Sequence, residues 1–421
     1  MAQYLTIQIH KFPNTAHTIN TTIPQPTSDR SKGREKFIAA AISVVAAIFA
    51  LYILEAALTF GNPRWIDKLG TTLRVGPSVV SETMRIRASN PHAYPFLQPD
   101  TYTDSSGRTK LFVGDSATLP LSGQANTLTI LCNESGTTIG YRSDSLGFRN
   151  PADIWEPIHS DVALIGDSFM HGFCRPEQET IAAQLRAANV RALNLGLTGA
   201  GPLAELGILR EYLRAVRPKR VYWLFYEGND LVDIKSERET LLLRYLSPDF
   251  NQNLLARRGS VDSAIVRFAD SLLSAYQSPT SSQKIESFML LRKLRTATGL
   301  YRSPAFDQGD EKAEAQILES VLSLARTDAE SWGGELRLVY LPERRRFNRN
   351  TAPVVGESHD PVVVQQRIRR IVYRLGIPMI DVASVFAAEK DPASLWNARR
   401  YHYNAAGYAL VAKAIIDDLR K

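Results

Sequence analysis

The segment FIAAAISVVAAIFALYIL, residues 37–54, carries no charged side chain, and no other feature limits the chain so tightly. A helix that is apolar on every face has no side to offer water, so it belongs in a core or in a lipid bilayer. The apolar character continues through Phe60 past a single acid, Glu55. Residues 37–60 as a helix span about 36 Å, enough to cross a hydrocarbon layer of roughly 30 Å with some tilt. Residues 1–36 are threaded with Thr, Ser and Pro and read as a disordered tail. No small-x-small cleavage site follows the segment, which reads as a transmembrane anchor rather than a signal peptide. Arg30, Lys32, Arg34 and Lys36 precede the span, while Arg64, Lys68 and Arg74 follow it. This slight excess of cations puts the tail in the cytoplasm and the body outside it, in a single-pass arrangement suited to a bacterial inner membrane with a periplasmic C-terminal domain.

With 421 residues, of which 44% are apolar, the chain can build a large core. Its net charge of +7 is dispersed. The densest cluster, Arg344 to Arg346, lacks the aromatic interleaving of a nucleic-acid surface, so nucleic acid is not an expected partner. Two cysteines, Cys132 and Cys174, exclude a disulfide-dense scaffold and form no zinc pattern. In an oxidising compartment they could clip the N-terminal region to the segment around residue 174, but the sequence alone does not bring their Cα atoms within bonding reach, and two unpaired cysteines, one partly buried, are the expectation.

Residues 61–155 alternate short apolar runs, such as LFVGD and TLTILC, with Gly, Ser, Pro and Thr, and read as a β-rich or irregular accessory region. Within them IGYRSDSLGFRNP, residues 139–151, reads as an ordered loop. From residue 156 strands and helices alternate: VALI, a helix over 177–189, RALNLG, a helix over 202–216, RVYWLFY, ELRLVYLP, a helix over VVVQQRIRRIVYRL, IPMID, and a last helix from about Ala405. Such alternation predicts an α/β fold with a mostly parallel sheet covered by helices on both faces. Residues 236–330 interrupt it with helical sequence and read as an insertion. Its exit just after the third strand predicts that part of it covers the mouth of a site, with LLLRYL and ESFMLLRKL as an apolar wall.

Open parallel sheets bind ligands beyond the C-terminal ends of their strands. Polar sets stand at three such ends: Gly166-Asp167-Ser168, Asn194 to Gly199, and Gly228-Asn229-Asp230. Near the C-terminus YHYNAAGY places His402 before the final helix. A serine becomes nucleophilic with a base beside it, and a tetrahedral intermediate needs donors aimed at its negative charge. His402 is the candidate base for Ser168. The N–H groups of Ser168 and Gly199 and the Asn229 amide are the candidate oxyanion donors.

These four blocks, in this order, resemble the GDSL/SGNH hydrolase superfamily, in a membrane-anchored bacterial form. Ser168 matches the nucleophile, Gly199 and Asn229 the second- and third-block residues, and His402, followed by the HYNAAG rhythm, the last block. The resemblance covers residues 160–421. It implies a three-layer α/β/α fold and serine esterase or acylhydrolase chemistry, without metal or cofactor, on an O-acylated glycan or lipid. The same site would serve a polysaccharide O-acyltransferase, in partnership with envelope polysaccharide machinery. A catalytically silent, membrane-tethered glycan-binding or assembly protein is the reading from another class. Two positions differ from the pattern. Glu227 stands where a glycine is usual, and Arg399 and Arg400 stand where an aspartate usually precedes the histidine. Asp381, at the end of the last strand, is the candidate to orient His402; a helix cap there, with a backbone carbonyl orienting the imidazole, is the alternative. Asp167 and Asn194 are expected to pin the loops. His171, Arg399 and Arg400 are candidates to meet substrate.

Overall fold

The structure, a computed structural model, describes residues 28–60, 79–133, 137–155, 161–277, 281–291, 311–348, 360–397 and 402–421. Residues 1–27 of the expected tail lie outside them, as do Arg399 and Arg400. The chain divides into two compact units. The first contains the helix Ser28–Phe60, which already includes residues 28–36 of the expected tail, and the helix Ser281–Met289. Arg34–Ala57 is long and apolar enough to cross a membrane.

The second unit holds every strand among the described residues. After a helix at Val79–Arg87 come β1 (Ala93–Pro95), β2 (Phe112–Val113), β3 (Ser116–Ala117), β4 (Leu128–Cys132) and β5 (Ile139–Arg142). β1 pairs parallel with β4, and β4 antiparallel with β5; β2 and β3 form a small hairpin. The main sheet follows: β6 (Val162–Gly166), β7 (Ala192–Gly196), β8 (Arg220–Tyr226), β9 (Glu335–Leu341) and β10 (Met379–Asp381), in the order β10-β9-β8-β6-β7. All four pairings are parallel. The chain leaves β6 for β7 on one side and returns to β8 on the other. The crevice beyond the ends of β6 and β8 is therefore a topological switch point.

Alternate residues of these strands feed two cores, as a sheet covered on both faces requires. Ile165, Leu195, Trp223, Phe225 and Leu338 pack against the helices Pro202–Ile208, Glu311–Ser331 and Pro361–Arg374. Leu164, Tyr222, Leu224, Val339 and Leu341 pack with Ile181–Ala187, Val382–Ala387 and Ala405–Leu419. The arrangement is a three-layer α/β/α sandwich. Helix starts follow local chemistry: Thr180, Asp360 and Asn404 each cap with a side-chain oxygen, and Pro202 and Pro361 open their helices.

The accessory residues Phe96, Tyr102, Leu121, Leu131, Tyr141 and Phe148 share a core with residues of the main sheet. Within the insertion, Glu311–Ser331 is one of the layer helices, and LLLRYL turns Leu242 and Tyr245 into the core, because apolar surface at the sheet margin is most stable when buried; residues 292–310, with the end of ESFMLLRKL, lie outside the described residues.

Candidate active site

β6 ends at Gly166, and Asp167 turns the chain into the short helix Ser168–His171. The Asp167 side chain caps this helix by accepting from Phe169 N at 2.8 Å. Gly196, at the end of β7, is what lets the helix sit so low: a Cβ there would lie 2.1 Å from His171 N. Ser168 thus stands at a strand end, on a helix N-terminus, partly exposed. His402 reaches it from the approach to the last helix, with Nε2 2.8 Å from Ser168 Oγ. The imidazole is held between Phe169 and Phe173, with ring centroids 5.0 and 5.2 Å away. With the ring proton on Nδ1, Nε2 accepts from the serine hydroxyl.

Gly199 adopts φ +80°, a left-handed conformation that any side chain would strain. The residue is exposed, and its N–H has no acceptor among the described residues, as an oxyanion donor requires. Asn229 lies beside the site, but its Nδ2 donates to Asp233 Oδ2 at 2.9 Å and leans on Asp167 Oδ2 at 3.5 Å. A role toward an oxyanion would need it to release the longer contact.

Beneath these groups lies a set of buried carboxyls. Loss of hydration lifts Asp167 to about 6 and Glu237 to about 7. Burial and the neighbouring carboxyls push Glu205, Asp230 and Asp233 well above the usual range. Glu237 accepts from the N–H groups of Gly201, Leu203 and Ala204 and so fixes the segment after Gly199. Among the described residues no cluster of three or more His, Cys, Asp or Glu is placed to hold a metal ion.

Asp381 does not orient His402. Its oxygens accept from Gln365 Nε2 (2.9 Å), Arg369 (2.5 Å), Ser384 Oγ (2.7 Å) and Ala383 N (3.1 Å). It caps the helix Val382–Ala387 and pairs with Arg369, the cap alternative raised by the sequence. His171 does not face substrate. It is buried, with Nδ1 2.8 Å from Thr198 Oγ1 and Nε2 3.0 Å from Tyr141 Oη. Burial holds its pKa well below the ordinary value, so a neutral imidazole braces the loop that carries Gly199. Asn194 is buried, and its side-chain oxygen accepts from Gly196 N at 2.9 Å.

The supports that sequence reasoning missed lie in residues 139–151. Arg149, 2% exposed, donates to the carbonyls of Gly172 and Arg175 at 2.8 Å each and to Glu177. Asn150 pairs with both backbone groups of Asn194 in the second strand of the site, at 2.8 and 2.9 Å. The density of Arg, Asn and Asp between glycines was the available signal. Cys132 and Cys174 are joined, with Cα atoms 5.6 Å apart, and this bond ties β4 to the loop beside Phe173. Glu227, at the position where a glycine is usual, accepts from Tyr340 Oη, Glu343 N and Arg346, so it clamps the turn after β8 to the segment after β9.

No family model matches the chain, and no curated protein does. Among solved structures it is similar to a member of the lipolytic protein G-D-S-L family from Veillonella parvula, at 13% identity and TM-score 0.33, over 62% of this chain and 98% of that one. It is also similar to the psychrotrophic esterase EstA from Pseudoalteromonas sp., at 11% identity and TM-score 0.31, over 62% of this chain and 96% of that one. A third is the lipase/acylhydrolase from Enterococcus faecalis, at 12% identity and TM-score 0.31, over 62% and 94%.

Proposed function

We propose that the chain is a membrane-anchored serine acyl-ester hydrolase of GDSL/SGNH type, acting outside the cytoplasm on an O-acylated glycan or lipid. The observation that carries this reading is the 2.8 Å contact between His402 Nε2 and Ser168 Oγ at a strand end, supported by the exposed Gly199, whose N–H has no acceptor among the described residues. His402 takes the hydroxyl proton as Oγ bonds to the ester carbonyl carbon, and the carbonyl electron pair moves onto its oxygen. That oxyanion is stabilised by the N–H groups of Ser168 and Gly199. Collapse expels the alcohol, which takes the proton from Nε2, and leaves an acyl-serine. Water then repeats the sequence, giving its proton to His402 and releasing the acid and the free serine. The Cys132–Cys174 bond supports an oxidising compartment, in line with the cations before the span.

The test uses the full-length protein in detergent, with a chromogenic acetyl ester and a fluorophosphonate probe. Turnover and labelling are expected in the parent, lost in Ser168→Ala and weakened in His402→Ala. An S168A protein as active as the parent sinks the mechanism, and well-folded parent that never labels moves the chain to the silent-scaffold reading. Adding an acetyl-accepting glycan separates hydrolysis from O-acyl transfer, since both share the acyl-serine. Alkaline phosphatase fused after residue 75 reports the side of the membrane, and activity is expected.

A further inference from the structure

The insertion between β8 and β9 sends one helix, Ser281–Met289, to the unit that contains the N-terminal helix. Tyr52 Oη donates to the Met289 carbonyl at 3.2 Å, and the Tyr52 and Phe288 rings lie 5.4 Å apart. Tyr52 stands five residues before the end of the span at Ala57, about 8 Å along the helix axis. At that depth hydrocarbon gives way to headgroups, and a tyrosine suits the boundary because its ring is apolar and its hydroxyl polar. Any element packed on Tyr52 shares that depth.

The short helix arrives there with apolar side chains uncovered. Ile285 is 58% exposed, Met289 60% and the adjoining Leu290 47%. Ile285 and Met289 are one turn apart on a single face, next to the Phe288 that meets Tyr52. In sequence, Lys284 precedes and Arg292, Lys293 and Arg295 follow the segment 285–290, and cations next to an apolar segment suit the anionic phosphates of a bilayer surface. We propose that Ser281–Met289 is a second membrane-contacting element, an interfacial helix that beds Ile285, Met289 and Leu290 at the acyl–headgroup boundary beside Tyr52. Its occupant is the phospholipid leaflet on the side where the span ends. The inference rests on reading Arg34–Ala57 as membrane-crossing and does not depend on the chemistry at Ser168.

The experiment places single nitroxide labels on the full-length protein in liposomes of phosphatidylcholine and phosphatidylglycerol. Because Cys132 and Cys174 are bonded to each other, Ile285→Cys, Met289→Cys, Ile42→Cys and Arg370→Cys each supply one reactive thiol. Ile42 is an exposed residue of the span, and Arg370 an exposed residue of the second unit. Power saturation with oxygen and a nickel chelate reads lipid against water. Oxygen accessibility is expected to exceed nickel accessibility at 285 and 289, as at 42, and to fall below it at 370. Nickel dominating at 285 and 289 with lipid contact at 42 overturns this inference and leaves the anchor. Nickel dominating at 42 overturns both, whatever the esterase assay returns.

Discussion

Replacing both Cys132 and Cys174 by serine isolates what their bond contributes. The bridge closes a loop of 42 residues, and loop-closure entropy for that length amounts to about 4 kcal/mol at 25 °C. In a unit of this size each kcal/mol moves the melting temperature by about 2 °C, so the double variant should melt roughly 8 °C below the parent. The loss should also reach the site. Cys174 adjoins Phe173, whose ring lies 5.2 Å from that of His402, so a freed loop loosens one of the two walls of the imidazole. The assay is thermal unfolding of full-length protein followed by circular dichroism, with and without reductant, alongside ester turnover. Reductant should lower the parent toward the double variant and leave the variant unchanged. A double variant melting within about 2 °C of the parent, with the parent indifferent to reductant, would refute both the bond and the loop-closure argument.

Gly199→Ala puts a Cβ 2.9 Å from Gln98 Oε1 at φ +80°. It should cost about 1–2 kcal/mol in stability through the backbone alone; the N–H itself remains, so kcat falls, by up to roughly a hundredfold, only as the strained backbone turns that donor away from the oxyanion, and denaturant melts and steady-state kinetics separate the two. Glu227→Gln leaves Arg346, whose side chain is 12% exposed, without its counter-charge, and a loss of about 3 kcal/mol is expected by urea unfolding. Asp167 carries a pKa raised by burial to about 6, against about 3.9 in an unfolded chain. Its contribution to stability is therefore full below the unfolded value and is lost as pH rises through the folded one. Asp167→Asn removes that loss, so between pH 5 and 8 the parent should lose more stability than the variant, and parallel pH profiles of melting temperature would count against it.

The main sheet was legible because buried parallel strands are short apolar runs closed by polar or glycine-rich turns. VALI, RVYWLFY and ELRLVYLP each became one of its strands. Ser168 and His402 were legible as residues at a strand end and before a helix, and the structure brings them together. Asp381 was not, since a carboxylate ending a strand looks the same whether it meets a histidine or caps the next helix; here Ala383 N and Arg369 claim it. The work of Arg149 was hidden for another reason. A guanidinium that binds the carbonyls of Gly172 and Arg175 leaves no periodicity in its own segment, and its one carboxylate partner, Glu177, lies 28 residues away with nothing in either stretch to pair them. The five-residue π-helical stretch at Leu209–Leu213, inside what reads as one continuous helix, likewise has no apolar pattern of its own.

The bracing of the nucleophile loop by Arg149 and Asn150 decides what the smallest self-sufficient piece of this protein is. A fragment begun at residue 156, where the strand–helix alternation starts, would strip two carbonyls of their donor, unpair both backbone groups of Asn194, leave Cys174 a lone thiol and open the face covered by Tyr141 and Phe148. Truncation is tolerated where little buried backbone loses its partners, and here the losses fall on the turn that presents Ser168. A piece that keeps these partners therefore begins upstream of β4, which carries Cys132. Shuffling, fusion or domain exchange has to carry residues 79–155 with the sheet, as one cooperative piece whose apparent accessory half is its scaffolding.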